Sequence, residues 1–241
     1  DYHTGNNYQI SWEPLLRDPS NWYHITFVYD GTQSAISDKY KLFINNEQAT
    51  AYNTYGTPST PYASGFNKSG NYQYVGRASS SSSEVCKVYL ADIHLIDGQV
   101  KSPTDFIESN NYGGYIPKEY TGEFGTNGFH MDAQPAHDAD YLVTSVGRNE
   151  GDTTFAEVAS GNTLTTAGDP EHSIAAGNPF TGDDRAIYFD GNGDKIETGT
   201  TTDFNFGTGD FTVECWINPS QSASQYEGLI ASDNYGGSGA R

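Results

Sequence analysis

Apolar and polar residues alternate with a period of two in several short runs of the chain, and each run predicts a β-strand. In residues 22–30 (WYHITFVYD), Tyr23, Ile25, Phe27 and Tyr29 fall on one face; Trp22, His24, Thr26 and Val28 fall on the other. Both faces carry bulk, so this strand is expected inside a sheet with cover on each side. Asp30-Gly31 marks a turn, and alternation resumes over 40–45 (YKLFIN) before Asn45-Asn46. Residues 72–77 (YQYVGR) predict another short strand, and 85–97 (VCKVYLADIHLID), closed by Asp97-Gly98, the strongest of the first half. In the second half, 186–190 (AIYFD) and 195–198 flank the turn Gly191-Asn192-Gly193. Residues 211–217 (FTVECWI) set Phe211, Val213, Cys215 and Ile217 against Thr212, Glu214 and Trp216, and Pro219 stops the run. A last strand is expected over 228–232, and weaker strand signals lie at 141–146, 153–155 and 162–165.

The segments between these runs read differently. Residues 47–70 are polar and rich in Gly, Pro, Ser, Thr and Tyr, which predicts a long surface excursion, and 79–83 a flexible tip. Ser102-Pro103 fits a helix cap and first turn, with Asp105 near the N-terminal dipole and the helix ending near Glu108. Residues 110–131 mix Gly with aromatics and predict an ordered strap laid over a sandwich surface. The polar, acidic run 132–152 is the best linker. With no strongly amphipathic helix longer than two turns, the class is all-β.

Composition agrees with that class: 27 Gly, 18 Tyr and a single Met are the usage of strands and turns. The 31 acidic and 12 basic residues give a formal charge of −19, which repels nucleic acid and anionic lipid and favours solubility. No apolar stretch approaches the ~18 residues that span a bilayer, so membrane insertion is not expected. No signal peptide opens the chain, which starts at Asp1 and so reads as a processed form or a piece of something longer. Cys86 and Cys215 are too few and too far apart for a disulfide framework; each sits in an apolar run, as a small buried hydrophobe does. Their separation in sequence leaves a bridge between them open.

The phrases at 17–30 (RDPSNWYHITFVYD), 39–46 (KYKLFINN), 74–77 (YVGR), 89–98 (YLADIHLIDG), 102–106 (SPTDF) and 116–132 (IPKEYTGEFGTNGFHMD) resemble the laminin-G / concanavalin A-like jelly rolls. The variety is one found in marine bacteriophage tail and virion proteins. IYFDGNGDKI at 187–196 and FNFGTGDFTVECWI at 204–217 resemble the start of a second such domain. The match spans about two thirds of the chain and departs from the family at Cys86-Lys87-Val88, where a Gly is usual. The resemblance implies a two-sheet antiparallel jelly-roll sandwich read end-first: 1–131 as the C-terminal half plus strap, 132–180 as connection, 181–241 as the N-terminal half. Two arrangements follow. The halves pair into one circularly permuted sandwich, or they belong to two tandem domains; neither half alone buries its apolar face.

Chemistry is sparser. Asp190-Gly-Asn192-Gly-Asp194 places oxygen donors at alternate positions as the first part of a calcium loop does. Lys195 sits where that loop wants Gly and Thr201 where it wants Glu, so a Gly/Asn hairpin turn competes with calcium. The resemblance implies a possible rim calcium, for which Asp30, Asp92 and Asp194 are candidate donors. Asp92, mid-strand among apolar residues, needs a partner if buried. For sugar stacking, Tyr52, Tyr55, Tyr62, Phe66, Asn67 and Tyr72 offer aromatic faces and an amide, and the strap adds Tyr112 and Tyr115; the competing reading is that these rings cover the sandwich or pack on another subunit. Hydrolysis needs two carboxylates about 5–9 Å apart. Glu214 has no acidic companion two residues away, the Glu-x-Asp-x-x-Glu pattern is missing, and no serine elbow or Cys/His metal spacing occurs. His24 and His94 read as hydrogen-bonded strand residues among scattered His130, His137 and His172. The expected function is a non-enzymatic adhesion or carbohydrate-binding module of a phage tail fibre or virion surface protein, outside the cell, partnered by a surface glycan or other virion subunits. The alternatives are a purely structural virion assembly domain, or the ancillary glycan-binding domain of a secreted polysaccharide-degrading enzyme.

Overall fold

Each strong alternating run forms an antiparallel strand. The structure, a computed structural model, describes residues 2–4, 8–14, 16–55, 72–77, 85–131, 164–173, 179, 186–197, 209–219 and 228–233. Among these, an eight-stranded sheet runs in the order Glu171–Ser173, Ala186–Asp190, Lys87–Asp97, Phe211–Pro219, Tyr23–Tyr29, Tyr40–Ile44, Glu47–Gln48. The eighth strand, Phe129–Met131, also pairs with Lys87–Asp97. A four-stranded sheet has the order Thr165–Ala167, Lys195–Glu197, Tyr72–Val75, Ile230–Asp233, and a three-stranded one Tyr2–Thr4, Tyr8–Trp12, Tyr52–Tyr55. The protein is an all-β sandwich.

The late strand Phe211–Pro219 is hydrogen-bonded on both edges to early strands, with Cys215 opposite Ile25 and Val213 opposite Leu95. All nine of its residues are buried, as expected of a strand that exposes neither edges nor faces. Early and late segments therefore share one sheet. The four-stranded sheet is shared as well, since Tyr72–Val75 pairs with both Lys195–Glu197 and Ile230–Asp233.

One face of the large sheet is apolar. Leu90, Ile93, Phe189, Phe211, Val213 and Cys215 form one cluster there with Val75 and Ile196 of the four-stranded sheet and Ile10 and Trp12 of the three-stranded sheet. Burying each large apolar side chain of this kind contributes roughly 1.5–3 kcal/mol. Gly76, at φ +84°, lets the chain pass against Phe189: a Cβ there would lie 2.2 Å from the ring. Cys86 and Cys215 are both buried free thiols of this core.

The opposite face is covered by the residues after Gly98. Ser102 caps a 3-10 turn at Pro103–Asp105 in a capping box with Asp105. The helix is shorter than the sequence predicts because the chain returns at once to an extended strand, Ile107–Ser109, paired with Tyr115–Pro117. Phe106 and Ile107 are driven under this covering layer and are fully buried.

Two further expectations need correcting, and two strands were not foreseen. Residues 47–70 do not begin as a surface excursion: Glu47–Gln48 pairs with Phe43 and Ile44, and Tyr52–Tyr55 pairs with Tyr8–Trp12. The strands Tyr2–Thr4 and Tyr8–Trp12 lie outside the runs read as strands above, although Tyr8, Ile10 and Trp12 alternate with Gln9 and Ser11. Finally, the turn at 191–193 joins no hairpin. Ala186–Asp190 belongs to the large sheet and Lys195–Glu197 to the four-stranded one, so this corner carries the chain between layers. The expectations for 56–71, 78–84, 132–163 and 198–208, including the weak strands at 141–146 and 153–155, lie outside the described residues.

Candidate functional site

The covered face of the large sheet holds the densest chemistry among the described residues. Register places His130 opposite His94, His94 opposite Glu214, and Glu214 opposite Thr26, a row running across four strands. His24 lies beside this row, opposite Trp216. Glu214 is fully buried between two imidazoles: its Oε2 is hydrogen-bonded to His94 Nδ1 at 2.6 Å, while its Oε1 lies 2.7 Å from His24 Nε2 but out of line for a hydrogen bond, leaving both atoms buried without one. His94 Nδ1 also lies 3.2 Å from the Asp92 carbonyl, which can only accept. That carbonyl places the His94 proton on Nδ1, where it is donated also to the carboxylate, and leaves Nε2 with its lone pair.

Asp92 is brought to the row by a break in the strand. The register against Phe211–Pro219 shifts between Glu214 and Trp216, and Asp92 adopts the left-handed conformation at φ +52°. This is a β-bulge, which re-aims a side chain at the cost of local strain. The bulge also falls where the other neighbour of the strand changes: Ala186–Asp190 pairs up to Leu90, and Phe129–Met131 pairs from Ile93 onward. His130 Nε2 lies 2.7 Å from Asp92 Oδ1, and His94 Nε2 3.9 Å from the same oxygen. The His94 and His130 rings stack at 4.0 Å, with Phe106, Tyr120 and Phe124 closing around His94.

Burial governs the electrostatics. It pushes His24 down to about 3 and His94 down to about 4, so both imidazoles are neutral at pH 7. It pushes Glu214 well up, helped by the nearby Asp92 carboxylate. Burial also raises Asp92, but His94, His130 and His24 outweigh it and leave the carboxyl below its ordinary value. The inner part of the row is thus sealed and uncharged on its histidines, whereas Asp92 (17 %) and His130 (22 %) keep a path to solvent.

The sequence-derived candidates scatter. Asp30 accepts from the Thr32 backbone N–H and hydroxyl and from Gln33, closing its own turn. Asp190 Oδ1 accepts from the Asn192 N–H, and Asn192 is exposed. Asp194 is fully buried and accepts the backbone N–H groups of Asp190 and Asp169, which staple the inter-sheet corner. Its carboxyl is pushed up to about 6 by burial and by Asp190, against those two donors. Carboxylate oxygens of Asp169, Asp190 and Asp194 lie within 4.8 Å of one another, but neither Asp30 nor Asp92 joins them. No single site unites Asp30, Asp92 and Asp194.

Among the aromatic candidates, Tyr52 is half-buried in its strand against the core, and Tyr72 stacks on Tyr74. Tyr55 occupies the strand beside Gln9, and Tyr62, Phe66 and Asn67 lie outside the described residues. Tyr115 is half-buried and its hydroxyl accepts from Asn46. Tyr112 differs from Tyr52, Tyr72 and Tyr115, being 95 % exposed. Its turn is nonetheless fixed, because Asn110 Oδ1 accepts from both the Tyr112 and Gly114 backbone N–H groups.

Comparison with known proteins adds no assignment: no family model matches the chain, and no curated protein or solved structure matches it.

Proposed function

We propose that the chain is a non-enzymatic recognition module, a laminin-G / concanavalin A-like jelly roll in permuted order. In this reading it serves a phage tail fibre or virion surface protein and touches a cell-surface glycan. The observation that supports the glycan is Tyr112. An aromatic ring held out to solvent on a turn tied by Asn110 loses little freedom when a sugar stacks on it. Tyr62 and Phe66, outside the described residues, would add further rings. The non-enzymatic part rests on the buried acid: Glu214 is fully buried under the covering layer between two histidines, closed to a substrate.

A glycan array probed with the 241-residue chain and with Tyr112→Ala tests this reading. Binding by the chain that the variant loses supports it. Silence across the array, together with self-assembly in solution, favours the structural virion role instead.

A further inference from the structure

We propose that Asp92, His94 and His130 form a binding site for a divalent transition-metal ion, with Glu214 orienting His94 from behind. The ligand atoms of the three residues lie within 4.8 Å of one another. Two imidazoles and one carboxylate on one side of an ion, with remaining positions open, is a donor set that suits Zn²⁺ or Fe²⁺ and not Ca²⁺, which prefers oxygen. Local sequence spacing conceals the set, because Asp92 and His94 come from one strand and His130 from its neighbour.

Three independent features prepare the site. His94 turns its Nδ1 to Glu214 and to the Asp92 carbonyl, so its Nε2 lone pair is presented toward Asp92 Oδ1, 3.9 Å away. A hydrogen-bond acceptor behind a histidine ligand is the usual way to fix its tautomer and ring angle. The left-handed bulge at Asp92 swings a carboxylate onto the covered face, a strained arrangement that packing alone does not call for. Asp92 and His130 remain partly open to solvent, which supplies an entry path.

Ligand spacing around a tetrahedral ion with bonds near 2.0–2.1 Å is about 3.3 Å. The separations from Asp92 Oδ1, 3.9 Å to His94 and 2.7 Å to His130, straddle that value, and because the His94 and His130 rings stack nearly parallel, the His130 ring turns to aim its lone pair at the ion. In the metal-free site His130 Nε2–H donates to Asp92. On binding, the ring carries its proton on Nδ1 in place of Nε2, the exchange passing through solvent, so the Nε2 lone pair is free for the ion, no imidazolate forms and the protons balance.

The test uses Zn²⁺ as the probe on the whole chain. Long-range ¹H–¹⁵N spectra of the imidazoles, recorded with and without one equivalent of Zn²⁺, are expected to move the Nε2 signals of His94 and His130 and to leave those of His24 in place. Titration calorimetry is expected to show Zn²⁺ binding that His130→Ala and Asp92→Asn each weaken at least about tenfold, and Glu214→Gln about 10- to 100-fold. A hundredfold excess of Ca²⁺ is expected not to displace the ion. Unmoved His94 and His130 nitrogens overturn the proposal, as does binding that is unchanged in His130→Ala with its far-UV circular dichroism intact. The spectra are taken on the unaltered chain, so a variant that fails to fold leaves the test standing.

Discussion

The strands Tyr23–Tyr29, Lys87–Asp97 and Phe211–Pro219 are buried on both faces, yet the two faces are held by different physics. On one, Leu90, Ile93, Phe211 and Val213 fill space against the other sheets. On the other, His24, His94, Thr26 and Glu214 are as deeply buried but must satisfy partners as well as volume. Packing tolerates a shape that is roughly right. A buried polar row does not tolerate a missing member.

That contrast can be broken by mutation. The largest effect is expected on the apolar face: Phe189→Ala, at a fully buried position, should lower stability by about 3–5 kcal/mol in urea denaturation. Gly76→Ala should act on the same ring from the other side, because the new Cβ meets Phe189 and the backbone sits at φ +84°. On the polar face Glu214→Ala should cost roughly 1–3 kcal/mol by stranding the His94 N–H that Glu214 Oε2 accepts. Glu214→Gln, which keeps volume and an acceptor, should cost less. Equal losses for the Ala and Gln variants would show that the row is held by volume, like its opposite face.

A smaller effect is expected from pH. The ordinary value for His24 is 6.5, and in the folded protein burial holds it at about 3. Between those values the unfolded chain binds a proton that the folded chain refuses. The stability contributed by this neutral imidazole is therefore complete above about 6.5 and lost as pH falls toward 3. The groups facing it are Glu214, His94 and Asp92. Glu214 has the opposite sign: raised above 4.5, its contribution is present at low pH and lost as pH rises through the folded value. Replacing His24 by Asn should flatten the decline in urea midpoint between pH 6.5 and 4; an unchanged slope would assign the decline elsewhere.

The smallest effect lies off both faces. Tyr112→Ala should change stability by no more than about 0.5 kcal/mol, since the ring touches solvent. Any larger loss by thermal melting would place Tyr112 among the packing residues and not among those free to meet a ligand.

Alternation along the chain was enough to separate the two faces. Phe211, Val213 and Cys215 entered the apolar core and Thr212, Glu214 and Trp216 the opposite side, as their order alone requires. The polar row was only half legible. Asp92 stood out as a mid-strand acid in want of a partner, and the partner proved to be His130, 38 residues away. His94 and Glu214 are separated by 120 residues, so their meeting depends on long-range register, which no local pattern carries. The bulge left no trace either, because a left-handed Asp looks in sequence like any other. Two histidines and a glutamate at inward positions of otherwise apolar strands were the available signal. Charged residues are almost never buried unpaired, and of these three only His94 had a partner nearby in sequence, Asp92.

The placement of Phe211–Pro219 also dictates an order of assembly. Asn218 donates to the carbonyl of Asn21 from 197 residues along the chain, and the whole strand is wedged between two partners made long before it. As the polypeptide leaves the ribosome, Tyr23–Tyr29 and Lys87–Asp97 must wait with facing edges unpaired until this keystone emerges. Closure at such distance is slow, and during the delay any β-strand nearby is a rival for the vacant slot.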